Sequence, residues 1–263
     1  MITEINGKKI SPLGLGTWKM GGAGRPETAD DRRNIAALKY GIENGITLID
    51  TAEMYGDGHS EEIVGKAIAD FPREDLFIVT KVWNDHLRHD DLIKSAKKSL
   101  MRLDAGYIDL YLIHWPSPTI PIGETISAME ELVDQGIIRN IGVSNFNNQL
   151  LQDAIDSTKK YDIVVNQLEY NISNRSVERD ILDFCRKNSV KIMSYSPLNQ
   201  GHLKISKNVE RIAEKVGISP VQVILRYLMR NSIPIPKSSS PDHIKEFIGA
   251  MKEDLPEEYA REI

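Results

Sequence analysis

Eight short apolar runs alternate with amphipathic segments of helical period along this chain, and that alternation narrows the fold more than any other feature of the sequence. The runs are Leu13 to Gly16, Leu48 to Asp50, Leu76 to Lys81, Ile108 to His114, Ile138 to Val143, Val164 to Glu169, Lys191 to Tyr195 and Ile233 to Pro236. Stretches such as Leu110-Tyr111-Leu112-Ile113 are apolar without interruption, as strands are when helices cover one face and a packed interior the other. Helices are predicted over Asp30 to Asn44, Ser60 to Ala69, Asp90 to Leu103, Glu124 to Gln135, Gln149 to Lys160 and Val177 to Asn188. In Asp90 to Leu103 the spacing of Leu92, Ala96, Leu100 and Leu103 gives one face able to cover a sheet. Two more helices fall between the seventh and eighth runs. The first carries Val209, Ile212, Ala213 and Val216, and the second opens on Ser219-Pro220, an N-cap followed by a first-turn proline.

Strand and helix repeated in this way predict an α/β fold, a closed parallel (β/α)8 TIM barrel, ahead of an open doubly wound sheet. The open sheet is weakened by the lack of a Gly-x-Gly-x-x-Gly joining strand to helix, since Gly14-Leu15-Gly16 runs on as Thr17-Trp18-Lys19-Met20. Ahead of the first run, Asn6-Gly7 divides the extended pieces of Ile2 to Ile10, the signal of a tight β-hairpin. A barrel of this kind takes the whole of a 263-residue chain, so residues 1–263 are expected to form a single domain. Gly21 to Pro26 is expected to be a mobile loop.

Charge restricts the partners. With 33 basic and 38 acidic residues the net charge is −5, which argues against a duplex-binding surface while leaving room for a local phosphate pocket. The one cysteine, Cys185, excludes an intrachain disulfide and, on a helical segment, reads as a core thiol. Met1 to Ile10 has no apolar leader core, and no run approaches the ~20 apolar residues that span a bilayer, so a soluble cytoplasmic protein without membrane contact is expected.

In a parallel barrel the chemistry sits where strands run into the following loops. Three consecutive strand ends there carry Asp50, Lys81 and His114, and Tyr55 lies in the loop after Asp50. Each alone has an ordinary reading: a capping acid, a structural ion pair, a satisfied core histidine. Together they describe an acid site. Tyrosine, with a pKa of about 10, is a weak donor near neutrality, and an adjacent ammonium lowers that value by stabilising the phenolate. Lys81 is expected to do this, and a buried lysine needs a charge partner, which Asp50 provides. His114 can donate to a carbonyl oxygen from the other side. The set fits proton donation to a carbonyl, with neither a nucleophile nor a metal required.

Proton donation alone reduces nothing, so the electrons must come from a cofactor. The eighth run enters the basic, serine-rich turn Lys237-Ser238-Ser239-Ser240-Pro241, where Ser240-Pro241 reads as the N-cap and first-turn proline of a last helix, a setting that binds phosphate in barrel enzymes. Ser144, Asn145 and Gln167 at other strand ends can hold a carboxamide, and Tyr195 can stack on an aromatic ring.

These residues resemble the aldo-keto reductase superfamily over nearly the whole chain. The resemblance rests on Gly14-Leu15-Gly16-Thr17-Trp18, Ile49 to Gly56 with Ser60-Glu61 beyond, Thr80-Lys81, Asp109 to Pro116, Gly142 to Phe146, Asn166 to Tyr170, Tyr195 to Leu198 and Ile235 to Ser238. It implies an NADPH-dependent reductase of small carbonyl compounds, monomeric, with the hairpin closing the barrel bottom. Position by position, Asp50, Tyr55, Lys81 and His114 match a catalytic tetrad with Tyr55 as general acid. Ser144, Asn145 and Gln167 match carboxamide contacts, and Tyr195 matches the aromatic under the nicotinamide. Ser196 and Leu198 match pyrophosphate contacts. Lys237 and Ser238 match groups on the adenosine 2′-phosphate, and Glu246 an adenine-side contact. Trp18, Trp83 and Trp115 match pocket-lining aromatics. Two positions depart: His243 stands where an arginine often meets the 2′-phosphate, and Phe247 where an asparagine often meets adenine, so NADH use is conceivable. Asn199 to Ser206 is short and few residues follow Leu255, implying an open pocket. Two alternatives stand beside this reading: a lyase using a neutral Lys81 as Schiff-base nucleophile, and a nicotinamide-binding, redox-sensing partner subunit with slow turnover.

Overall fold

Pairing of eight parallel strands in strict sequence order carries the architecture, as the alternation of runs predicts. A computed structural model describes residues 3–263; Met1 and Ile2, the latter opening the predicted hairpin, lie outside the described residues. The hairpin is β1 (Thr3–Ile5) and β2 (Lys8–Ile10). Asn6 and Gly7 between them have φ 45° and 77°, the two positive angles of the tight turn read from the sequence.

The barrel strands are β3 (Gly14–Gly16), β4 (Leu48–Asp50), β5 (Phe77–Val82), β6 (Ile108–Ile113), β7 (Ile138–Ser144), β8 (Ile163–Glu169), β9 (Lys191–Tyr195) and β10 (Ile233–Pro234). Around them run α1 (Asp31–Glu43), α2 (His59–Ile68), α3 (His89–Leu103), α4 (Ile122–Asp134), α5 (Asn148–Ser157), α6 (Ser176–Asp180), α7 (Leu182–Lys187), α8 (Lys207–Val216), α9 (Pro220–Met229), α10 (Pro241–Ala250) and α11 (Glu257–Ala260). The last strand stops two residues before the predicted Pro236, because Pro234 and Pro236 have no N–H to continue a ladder. The seam to β3 is instead closed by Gly16 N–H donating to Pro236 O at 3.0 Å. Gly16 has to be glycine there, since a Cβ would lie 2.7 Å from Ile235 O.

Two sides of the sheet bury two separate clusters. The barrel interior holds Leu48, Phe77, Val79, Leu110, Leu112, Val165, Met193 and Ile233, with Ile5 and Ile10 of the hairpin plugging one end. Lys8 fastens that plug by donating to Asp109 Oδ1 at 2.8 Å, and Asn6 by donating to Asn140 at 2.8 Å. The larger cluster lies between the outer strand faces and the helices.

Two helix boundaries differ from the periodicity for visible reasons. The segment expected as one helix over Val177 to Asn188 is two, α6 and α7, because Ile181 leaves helical geometry at φ −126° and ψ −15°. α5 ends at Ser157 instead of Lys160 because the Glu130 carboxylate captures the backbone N–H groups of Lys159 and Lys160 at 2.8 and 2.6 Å. At Ser219 the prediction holds fully, with Ser219 and Gln222 forming a reciprocal capping box.

Candidate active site

At the mouth opposite the hairpin, Asp50 ends β4, Lys81 is the last residue but one of the adjacent β5, and His114 directly follows the next strand, β6. The register staggers them along the sheet: Asp50 pairs with Val79 and Lys81 with Leu112, so Lys81 and then His114 each lie two positions beyond the partner of the residue before. Tyr55 opens a tight turn, Tyr55–Gly58, between β4 and α2, in which Gly56 and Asp57 have φ 57° and 54°. Gly56 cannot carry a side chain, since a Cβ would collide with Gly21 O. The loop after β3 is therefore packed on the tyrosine turn: Met20, Gly21 and Gly22 are buried, and only from Ala23 onwards does the glycine-rich piece become exposed.

The lysine is the hub of the four. Lys81, fully buried, donates from Nζ to Asp50 Oδ2 at 2.8 Å, to Thr51 O at 2.8 Å and to Tyr55 Oη at 3.2 Å. Three acceptors satisfy the three N–H bonds of an ammonium. Burial lowers its pKa, and the opposing pull of Asp50 and Tyr55 raises it above the ordinary value, so Lys81 is charged. Asp50 accepts on both oxygens, from Lys81 and from Gln167 Nε2 at 2.7 Å, as only a carboxylate can. Burial raises the pKa of that carboxyl above the ordinary value, against the lowering by Lys81 and by the Gln167 hydrogen bond.

For Tyr55 the expected direction is corrected. Burial raises its pKa above 10 and outweighs the lowering by Lys81, with Asp50 adding to the rise. The phenol is therefore held protonated. Because its oxygen accepts from Lys81, its own O–H is free to point into the site. His114 is pushed down to about 2 by burial and by the Lys81 charge, so the imidazole is neutral. Its Nδ1 is buried without a hydrogen-bond partner among the described residues. The ring stands edge-on to Tyr55, centroids 5.7 Å apart.

The aromatic rim is unequal. Trp18 packs edge-on against Tyr55 at 4.8 Å and Trp83 against His114 at 5.2 Å, whereas Trp115 is 43% exposed. A cleft of ≈ 590 Å³ opens beside Trp18, Met54 and Trp83, the two tryptophans separating it from Tyr55 and His114, and runs outwards past Asp57 to Arg102 of α3. Glu53 fixes the Trp83 side of it, accepting from Trp83 N–H at 2.7 Å and contacting His86 Nδ1 at 3.0 Å. Glu53 lies within the Ile49–Gly56 motif, but nothing in its spacing reveals this role.

Residues read as cofactor contacts form two groups. In the first, Ser144 donates to Gln167 O at 2.9 Å, Asn145 Nδ2 to His114 O at 3.0 Å, and Tyr195 Oη to Asn145 Oδ1 at 3.0 Å. Gln167, tied to Asp50, joins this group to the tetrad, a link the sequence did not disclose. In the second, Ser238 Oγ is 3.1 Å from His243 Nδ1 and accepts from Ser240 N–H at 3.0 Å, next to Lys237. Ser240 occupies the predicted N-cap but its side chain makes no cap bond, and Pro241 takes the first turn, so the start of α10 keeps unbonded N–H groups. A lysine, serines and an open helix N-terminus are the donor set a phosphate requires. Ser196, with φ 50°, and Leu198 lie half-buried after β9, and Glu246 is half-buried on α10. Phe247 is 2% exposed and belongs to the core, which accounts for the apolar residue at that position. Cys185 is buried, its thiol pushed up to about 12 by burial, so the core reading holds.

A family model described as the aldo/keto reductase family matches residues 12–263. Methylglyoxal reductase YeaE of Escherichia coli is 38% identical over 97% of this chain and 90% of its own length. Glyoxal reductase of Bacillus subtilis is 36% identical over 92% of this chain and 83% of its own. Among solved structures, the thermostable aldo-keto reductase Tm1743, in complex with the inhibitor epalrestat, superposes with a TM-score of 0.95 at 47% identity, covering 99% of this chain and 97% of that one. An aldo/keto reductase from Klebsiella pneumoniae in complex with NADP and acetate does so with a TM-score of 0.86 at 36% identity, over 95% and 89%.

Proposed function

The chain belongs to the aldo/keto reductase family, and from that premise we propose how its residues divide the reduction of a carbonyl. The protein is an NADPH-dependent oxidoreductase that takes an aldehyde or ketone to an alcohol. When bound, NADPH supplies the hydride that the chain lacks. Lys237, Ser238 and the open start of α10 would hold its 2′-phosphate, Ser196 and Leu198 its pyrophosphate, and Glu246 its adenine side. Ser144, Asn145 and Gln167 would hold the carboxamide, with Tyr195 against the ring.

Tyr55 is the general acid. The observation that carries this is the Lys81 ammonium at 3.2 Å from Tyr55 Oη, itself held by Asp50 at 2.8 Å. The substrate carbonyl accepts from Tyr55 O–H and from His114 Nε2. As the carbonyl carbon is reduced, its oxygen takes the Tyr55 proton, and Lys81 stabilises the phenolate left behind. A charged Lys81 is no Schiff-base nucleophile, which removes the lyase alternative. The relatives named are reductases, which leaves the redox-sensing subunit without support.

The substrate class is small α-oxoaldehydes of the methylglyoxal kind, a reading supported by the names of the E. coli and B. subtilis relatives and by the apolar Trp18–Met54–Trp83 rim. Residues 1–263 act as one domain and the protein works as a cytoplasmic monomer; no helix among the described residues is long and apolar enough to cross a membrane. Steady-state NADPH oxidation over a panel of carbonyls tests the substrate class. The expected result is kcat/KM for methylglyoxal at least ~10-fold above that for propanal, a margin the size of one pocket contact; equal values would remove the preference.

A further inference from the structure

The phosphate turn after β10 lacks the arginine that the family motif leads one to expect, since position 243 is a histidine. An imidazole cannot give the two parallel N–H bonds of a guanidinium, and His243 Nδ1 is engaged 3.1 Å from Ser238 Oγ. A guanidinium nevertheless reaches the same turn from another element. Arg33, exposed on the first turn of α1, donates from Nε to Ser239 O at 3.1 Å. Its neighbour Asn34 accepts from Ser239 Oγ at 2.7 Å, so α1 forms a wall of the turn on two successive residues.

The charges around this turn are unbalanced. Neither Arg33 nor Lys237 makes an ion pair among the described residues, although both lie on a chain of net charge −5 with many acids to spare. They are near enough to interact: burial, then Arg33, then Lys19 lower the Lys237 pKa, with Asp30 opposing them. Like charges this close cost stability, and Asp30 offsets only part of that cost. An anion seated between them removes that cost, and among the described residues no acceptor takes the Nη1 or Nη2 of Arg33, whose one hydrogen bond is from Nε.

We infer that Arg33 supplies the guanidinium contact to the 2′-phosphate of NADPH, in place of the arginine missing at position 243. The inference rests on the NADPH reading of the Lys237 turn. Arg33 thus sets preference for NADPH over NADH from α1, outside the motif that normally encodes it. Its Nε bond to Ser239 O fixes the guanidinium plane, and the two Nη groups form the fork that suits phosphate oxygens.

Titration of the full-length protein with NADPH and with NADH, followed by quenching of tryptophan fluorescence, tests this without turnover. Arg33 is exposed, so Arg33→Ala leaves the fold intact. The expected result is that Arg33→Ala weakens NADPH about 10-fold, the loss of one charge-assisted phosphate contact, while NADH binding stays within about twofold. Unchanged NADPH affinity, or an equal loss for both cofactors, overturns the Arg33 assignment. Lys237→Ala separates the two levels: if it weakens NADPH selectively while Arg33→Ala does not, only Arg33 falls, and if neither variant discriminates, the 2′-phosphate reading of the turn falls with it.

Discussion

At the scale of single residues, the site is arranged so that one proton has one place to go. Lys81 spends its three N–H bonds on Asp50, Thr51 and Tyr55, which leaves the Tyr55 O–H as the only donor of the pair directed outwards. The pH dependence follows from the directions of the shifts. As the proposed general acid, Tyr55 must be protonated to act, and burial raises its pKa further than Lys81 lowers it, so kcat/KM is expected to fall only on the alkaline side. Removing the ammonium in Lys81→Met moves that fall to still higher pH and lowers the plateau by ~10²-fold, the scale of one general acid's assistance. His114, with a pKa of about 2, contributes no limb between pH 5 and 8. A rate profile recorded from pH 5 to 11 checks both statements; an alkaline limb that moves down in Lys81→Met contradicts the coupling of the pair.

At the scale of elements, the turn that carries Tyr55 is held by its neighbours more than by its own sequence. His59, first residue of α2, contacts both oxygens of Asp31 at 3.0 Å through Nε2 and Glu62 at 2.8 Å through Nδ1, clamping the start of α1 to the start of α2. Carboxylates at both nitrogens call for an N–H on each, which only the imidazolium has. Burial lowers the His59 pKa, but the bonds to Glu62 and Asp31 prevail and raise it. A raised folded pKa means a contribution to stability that is complete below the unfolded value of about 6.5 and is lost as pH rises through the folded one. His59→Gln is therefore expected to lower Tm by about 2–4 °C at pH 6 and by much less at pH 9. Thermal unfolding at the two pH values measures it, and an equal deficit at both would show that the clamp does not depend on charge.

These elements also mark what the sequence can and cannot disclose. Strand runs and helical faces follow from periodicity, and the Asn6-Gly7 and Ser219-Pro220 signals are local chemistry, so they are legible without a structure. The limit of α5 is set from afar, by Glu130 reaching across to residues 159–161, and that of α6 falls where Ile181 leaves helical geometry. Spacing along the chain carries no trace of either. The same holds in the site: Asp50, Lys81 and His114 are legible because they lie at the ends of consecutive strands, and Tyr55 because it follows the first of them, whereas the Gln167 bond to Asp50 spans half the barrel.

On the scale of the whole molecule, barrel closure turns those separate strand ends into one mouth. The Gly16–Pro236 bond shuts the seam, the hairpin plugs the far end, and the ends of β4, β5 and β6, with the turn after β4, bring the tetrad together at the open end. The central claim is that this convergence exists to make Tyr55 a proton donor. Its most direct measurement is the single-turnover rate of NADPH oxidation at saturating methylglyoxal for the wild type and Tyr55→Phe, with NADPH affinity determined in parallel. The expected result is a rate lowered at least ~10²-fold with NADPH binding unchanged; equal rates in the two proteins would contradict the account.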